Sequence, residues 1–130
     1  MFLADSEVNA ALDARASGGP NRQVGLSLTE PVLAAGVLTN ITEPAAADYA
    51  RVAYPASEWA AASDRSVTGD PVVFSDPVTD WGVVGWAFLT DGAGTPTIPQ
   101  KFAHPVDIKA GGSDISFTPA ITDMTNLLDD

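Results

Sequence analysis

Apolar and polar residues alternate from Arg22 to Thr29, where Val24, Leu26 and Leu28 are interleaved with Gln23, Gly25, Ser27 and Thr29. A period of two marks a strand with one face buried. Glu30-Pro31 breaks this pattern, and the mixed stretch from Val32 to Pro44, with Val37, Leu38 and Ile41, reads as a loop holding a short strand. Tyr49 to Tyr54 predicts a second strand, stopped by Pro55, and Trp59 falls in a third short element running to Ala62. Asp64 to Asp70 reads as a turn. Val72, Val73 and Phe74 form a fourth strand, closed by Asp76-Pro77.

Trp81 to Thr90 is the longest apolar run, with Trp81, Val83 and Leu89 on one face and Val84, Trp86 and Phe88 on the other. A strand that is apolar on both faces belongs in the middle of a sheet. Asp91-Gly92-Ala93-Gly94 is a turn signal, and Pro96 and Pro99 in the run to Phe102 predict an edge strand, because proline cannot donate to a ladder. Val106 and Ile108 predict a short strand, Gly111-Gly112 a hairpin turn, and Ile115 and Phe117 the last strand.

Only the start of the chain shows a helical period. Ala4, Val8, Ala11 and Leu12 share one face of a helix from Asp5 to Arg15, with Asp5 or Ser6 as cap and Gly18-Gly19-Pro20 as its end. So few large apolar residues predict a helix that docks on a surface, making residues 1–20 a lid or contact arm with Val8 and Leu12 as interface residues. The tail from Ala120 to Asp130 is read as a second arm that turns Ile121, Met124, Leu127 and Leu128 toward a neighbour. The predicted fold is therefore mainly β. It is one domain over residues 1–130, a β-sandwich or barrel of about seven to eight short antiparallel strands with a short N-terminal helix.

Composition narrows the function. Apolar residues make up 45% and charged residues 18%, enough to bury a core, and the eleven glycines and ten prolines punctuate many short elements. Cysteine is absent, so no disulfide or thiolate site contributes. The net charge of −11 comes from acids scattered singly, which argues against a nucleic-acid partner. The start lacks the basic and apolar stretches of a secretory signal, and no run approaches the roughly 20 apolar residues of a membrane helix, so synthesis in the cytoplasm and no membrane partner are expected.

Candidate chemistry is sparse. His104 is the only histidine, beside Pro105 in a predicted turn, so neither a histidine metal cluster nor a second imidazole is available. Asp76, Asp80 and Asp91 sit at turns without the spacing of a calcium loop, and turn aspartates ordinarily bond their own backbone. Ser113-Asp114 lacks a nucleophile elbow, and the glycines at 92, 94, 111 and 112 lead into no helix that would cradle phosphate. Asn40-Ile41-Thr42 matches a glycosylation acceptor by chance. Trp81 and Trp86 lie on opposite faces and cannot make one sugar-binding platform, which leaves Trp59 open as a surface aromatic. Arg51, a lone base among Tyr49 and Val52, reads as a partner for an acid of a neighbouring strand or subunit that fixes register at an interface. No catalytic, cofactor-binding or metal-ligating residue is assigned, and the chain is expected not to be an enzyme.

Several segments in fixed order carry a resemblance: Val24-Gly25-Leu26-Ser27-Leu28-Thr29-Glu30-Pro31, Tyr49-Ala50-Arg51-Val52-Ala53, Trp59, Val72-Val73-Phe74, Asp80-Trp81-Gly82-Val83-Val84, Phe88-Leu89-Thr90-Asp91, Pro105-Val106-Asp107-Ile108-Lys109-Ala110-Gly111 and Ile115-Ser116-Phe117. Together they resemble a family of small tailed-bacteriophage virion proteins, often labelled tail fibre or minor tail protein, over Val24 to Pro119. The chain departs from that family in a longer insert between Pro31 and Tyr49 and in Pro99. The resemblance implies a virion structural protein on the capsid surface, as decoration, or on the tail, with copies of itself and a major capsid or tail protein as partners. A homo-oligomer, with a trimer for a decoration role, is the expected assembly. A receptor- or glycan-binding tail module is the alternative, and a cell-wall hydrolase ranks last.

Overall fold

A computed structural model describes residues 4–64, 66–75 and 77–122. It opens with α1 (Asp5–Arg15), whose bounds match the predicted helix. The N-cap is Ala4, with no side-chain cap bond, so Asp5 and Ser6 lie inside the first turn rather than capping it. At the other end Gly18 N–H donates to Asp13 O at 2.8 Å and Gly19 N–H to Ala16 O at 3.1 Å. A Cβ on Gly19 would run into the Arg15 carbonyl, so the chain turns away where only glycine fits.

Ten short strands follow among the described residues: β1 (Arg22–Ser27), β2 (Val32–Ala34), β3 (Val37–Thr39), β4 (Val52–Tyr54), β5 (Ser66–Thr68), β6 (Val72–Phe74), β7 (Gly82–Thr90), β8 (Pro96–Ile108), β9 (Ile115–Phe117) and β10 (Ala120–Thr122). The main sheet has the order β4-β1-β7-β8 and is antiparallel throughout. The doubly apolar β7 is central and the proline-bearing β8 lies at the edge, as expected. Three two-stranded ribbons complete the fold: β2 with β3, β5 with β10, and β6 with β9.

The strands outnumber the predicted seven to eight because short polar-flanked pieces pair as ribbons. In the insert after Pro31, β2 and β3 turn tightly through Ala35 (φ 53°) and Gly36 (φ 79°), where left-handed backbone is what a two-residue hairpin needs. The stretch read as a turn from Asp64 to Asp70 contains β5, whose single large apolar residue, Val67, is buried. The predicted Tyr49–Tyr54 strand shortens to β4, and a 3-10 turn (Ala56–Glu58) precedes Trp59. Gly111-Gly112 does not close a hairpin. Gly111 N–H donates to Pro77 O at 2.8 Å, which docks that loop on another segment and sends the chain across to pair β9 with β6.

Two further expectations are corrected. Val8, Leu12 and Ala16 are fully buried and belong to the main core, so α1 is a core element and not a surface arm. Two large side chains suffice because they are four residues apart on one stripe. Its C-terminal half is tied down by Asp13 Oδ1, which accepts Ala62 N–H at 2.8 Å, and by Arg15 O, which accepts Arg22 Nη2 at 2.8 Å. Ile121, expected to face outward, is fully buried in β10. Met124, Leu127 and Leu128 lie outside the described residues.

Candidate interaction surface

The outer strand of the main sheet carries the most distinctive surface. β8 pairs with β7 in two stretches, Gly82 to Val84 against Ile108 to Val106 and Trp86 to Leu89 against Lys101 to Ile98. Between them the single residue Gly85 faces the four residues Phe102 to Pro105. This bulge throws the middle of β8 outward, as unmatched residues in a ladder must. Phe102 meets Phe117 of β9 there, ring centroids 5.3 Å apart, so two strands that share no ladder lean together.

A trough runs between them. Its first hollow, about 340 Å³, is lined by Gln100 to His104 and Val106 on one side and by Ile115 to Thr118 on the other. A second hollow of about 330 Å³ shares Val106, Ile115 and Ser116 and continues to Pro77, Lys109 and Asp114. Consecutive residues line both sides, so strand edges border the trough, backbone groups included. Gln100 fixes one end by exchanging two hydrogen bonds with the Ala120 backbone, at 2.8 and 2.9 Å. The other end is set by Asp80 Oδ1, which accepts Ala110 N–H at 2.9 Å, and by Pro77 beneath Gly111.

Charge is distributed unevenly around this trough. The lining of the first hollow includes two bases, Lys101 and His104, and no acid, although the chain carries seventeen. Both are exposed. Lys109, the only other lysine, borders the second hollow and pairs with Asp107 at 3.3 Å in full view of solvent, an interaction of little strength. Arg22 and Arg51 are engaged by groups of their own chain. Arg22, buried, donates to Thr90 O and Arg15 O.

Arg51 is held within its own chain. Its Nε and Nη2 donate to Glu43 Oε1 and Oε2 at 3.1 and 3.2 Å, and Nη1 donates to Gly94 O at 2.8 Å. Its guanidinium lies 5.0 Å from the Phe88 ring centroid. The acid expected for Arg51 is thus found within the same chain, in the loop before β4. Tyr49 joins the group, donating to Glu43 Oε1 at 2.8 Å and accepting Leu26 N–H at 2.9 Å. Burial pushes the Tyr49 and Tyr54 hydroxyls well above the ordinary phenol range. These residues brace the sheet.

Asp48 performs a second bracing role. Its carboxylate accepts from the Thr79 hydroxyl, from Val78 N–H at 2.8 Å and from the Trp81 indole at 3.2 Å, and the first two of these bonds do most to hold its pKa down to about 2. Asp91 is likewise lowered, by the N–H groups of Thr95 and Ala93 that it caps inside the β7–β8 turn. Both aspartates act as turn ligands. Asp70 raises Glu58 by hydrogen bonding, and neither hollow includes either residue.

The tryptophans make no shared platform. Trp59 and Trp81 are buried, Trp59 edge-on to Tyr54 at 5.2 Å, and Trp86 is half-buried in β7. Trp59 is therefore unavailable as an interface aromatic. Of the interface residues expected from sequence, Val8, Leu12 and Trp59 are buried in the core, the partly exposed Arg51 is held by Glu43 and Gly94, and Leu127 and Leu128 lie outside the described residues. His104, expected in a turn, projects from β8. The signal for the trough was present in the sequence: both lysines and the single histidine fall between Lys101 and Lys109 of an otherwise acidic chain.

Among the described residues no cluster of His, Asp or Glu is arranged to hold a metal ion, and no helix is long and apolar enough to cross a membrane. No family model, curated protein or solved structure matches the chain.

Proposed function

We propose that this chain is a non-enzymatic structural protein of a tailed-bacteriophage particle, holding to a capsid or tail lattice through contacts with itself and its neighbours. The observation that carries the reading is the trough between β8 and β9. It is a largely apolar groove rimmed by strand edges, with Lys101 and His104 along its first hollow and Lys109, Asp107 and Asp114 along its second, and an exposed sheet edge of this kind is what a neighbouring polypeptide docks on in strand addition. The segments resembling small virion proteins supply the particle context. A lattice suits a surface of this size, because many weak copies of one contact retain a protein that a single contact would release.

The test is electron cryomicroscopy of purified phage particles that encode the chain. Density fitting the β4-β1-β7-β8 sheet, repeated in a regular array on the head or tail, is the expected result. Particles with no such density would overturn the assignment. A few copies confined to the tail tip would favour a receptor-binding module instead, a reading that the buried Trp59 and Trp81 make the weaker of the two.

A further inference from the structure

Among the described residues no acid lines the first hollow, although the chain carries seventeen acids against six lysines and arginines. Lys101 and His104 stand exposed along it, whereas Lys109, along the second hollow, already has Asp107 at 3.3 Å. Exposed charges are screened over about 10 Å at 0.1 M salt, so a ligand seated in the first hollow meets Lys101 and a protonated His104 more strongly than it meets acids elsewhere on the surface. Between the two bases and opposite them the lining is apolar, formed by Phe102, Ile115 and Phe117. A ligand that is both anionic and apolar complements this hollow.

Two observations favour a peptide over an acidic glycan as that ligand. The Phe102 and Phe117 rings are tilted 58° to one another with centroids 5.3 Å apart, so they offer no flat platform for a sugar ring. Among the described strands, β8 has a ladder partner only in β7 and β9 only in β6, which leaves each a second edge whose backbone groups an extended peptide can bond. We propose that the trough takes an extended segment of a partner polypeptide in which acidic and apolar residues alternate. Its apolar side chains lie over Phe102 and Phe117, and its acids reach Lys101 and His104. A period of two sorts the two kinds of side chain onto opposite sides of such a segment, so one short stretch satisfies both. The inference deepens the reading of the trough as a docking surface and rests on it.

The test titrates the full-length chain with two synthetic peptides, acetyl-Asp-Val-Glu-Val-Asp-Val-amide and acetyl-Lys-Val-Lys-Val-Lys-Val-amide, by calorimetry at about 0.1 M salt. The net charge of −11 favours the basic peptide, whereas the trough favours the acidic one, so the order of affinities reports the local surface and not the whole chain. The expected result is that the acidic peptide binds about tenfold more tightly than the basic one, and that Lys101→Gln cuts this margin to about threefold or less while the circular dichroism spectrum stays unchanged. Ala10→Glu, at an exposed position of α1, makes the same change in net charge away from the trough and should leave the margin as it is. Preference for the basic peptide, binding of neither, or equal effects of Lys101→Gln and Ala10→Glu would overturn the proposal. So would binding of an oligoglucuronate without binding of the acidic peptide, since the trough would then belong to an acidic glycan. The readout needs no virus particle, so failed peptide binding beside clear density on particles sinks this inference alone. Acidic-peptide binding with no density on particles sinks the assignment of function instead.

Discussion

The Tyr49 hydroxyl accepts the backbone N–H of Leu26 at 2.9 Å, and so continues the edge of β1 where β4 stops. The β1–β4 ladder covers only Arg22 to Val24, and the next outward donor, Leu26 N–H, is taken by a side chain instead of a strand. Leu28 N–H then finds Thr42 O at 2.8 Å. Three different segments thus complete one strand edge, because a buried backbone donor left without a partner is costly. Tyr49→Phe keeps the ring against Phe74 and Trp81 but removes the acceptor for Leu26 and the donor to Glu43. Chemical denaturation is expected to show a loss of about 1–3 kcal/mol. A change near zero would mean that water replaces the hydroxyl there.

Phe88 is clasped from both sides. Arg51 covers one face of its ring, and on the neighbouring strand Gly25 stands directly opposite, with space for no side chain. A Cβ at Gly25 would press into the ring, whose burial is complete. Its φ is unexceptional, so the requirement is one of space and not of conformation. Gly25→Ala is expected to cost about 1–3 kcal/mol by overpacking, and pairing it with Phe88→Leu should recover part of that loss in a double-mutant cycle.

The core stripe of α1 gives a sharper result. Leu12 is fully enclosed, so Leu12→Ala should destabilise the chain by about 2–5 kcal/mol in thermal or denaturant unfolding. A contact-arm role would leave the isolated protomer unchanged and reduce only its association.

The central place of β7 and the edge place of the first half of β8 were legible because long apolar runs and prolines report directly on burial and ladder position, whereas the continuation of β8 through His104 to Ile108, read as a turn and a separate strand, was not. Trp81 to Thr90 is too apolar for an edge, and Pro96 and Pro99 cannot serve in a centre. The helix bounds were legible from Gly18-Gly19-Pro20, yet its burial was not. Sequence shows that Val8 and Leu12 share a stripe, but not that Val67 and Ile121 stand near enough to complete a core around them. The ribbons were missed for the same reason. Ser66–Thr68 has one apolar residue, and its strand identity comes from pairing with residues more than fifty positions away. Arg51 was recognised as the cation needing an acid, while its partner Glu43 sat in a stretch without periodicity. The trough escaped because it forms between strands that are not neighbours in any ladder.

Acid should loosen the loop that Asp48 ties. Its folded pKa, about 2, lies below the ordinary aspartate value of 3.8, with the Thr79 hydroxyl and Val78 N–H as the main causes. A depressed carboxylate contributes stability that is present above the unfolded value and lost as pH falls through the folded one. Wild-type protein should therefore lose this contribution between about pH 4 and pH 2. Asp48→Asn should show a lower Tm at neutral pH and a flatter Tm profile across that window, read by calorimetry. Parallel profiles for the two proteins would show that the Thr79 and Val78 bonds do not favour the ionised carboxylate.

Val106 offers a way to separate surface from core. It is 38% exposed and borders both hollows, so replacing it leaves the buried side of the sheet intact. Val106→Asp puts a negative charge and a hydration shell in the middle of an apolar trough. Surface substitutions of this kind usually change stability by less than about 0.5 kcal/mol, so the fold should persist. Sedimentation velocity should show the wild type associating and the variant shifted toward protomers. Raising the salt should weaken wild-type association as well, since Lys101 and His104 are exposed and their attraction for acids is screened over about 10 Å at 0.1 M salt. If both proteins sediment identically at every salt concentration, self-contact does not run through β8 and β9, and the assembly surface must be sought elsewhere, the exposed face of the β2–β3 hairpin around Val32 and Val37 being the next apolar candidate.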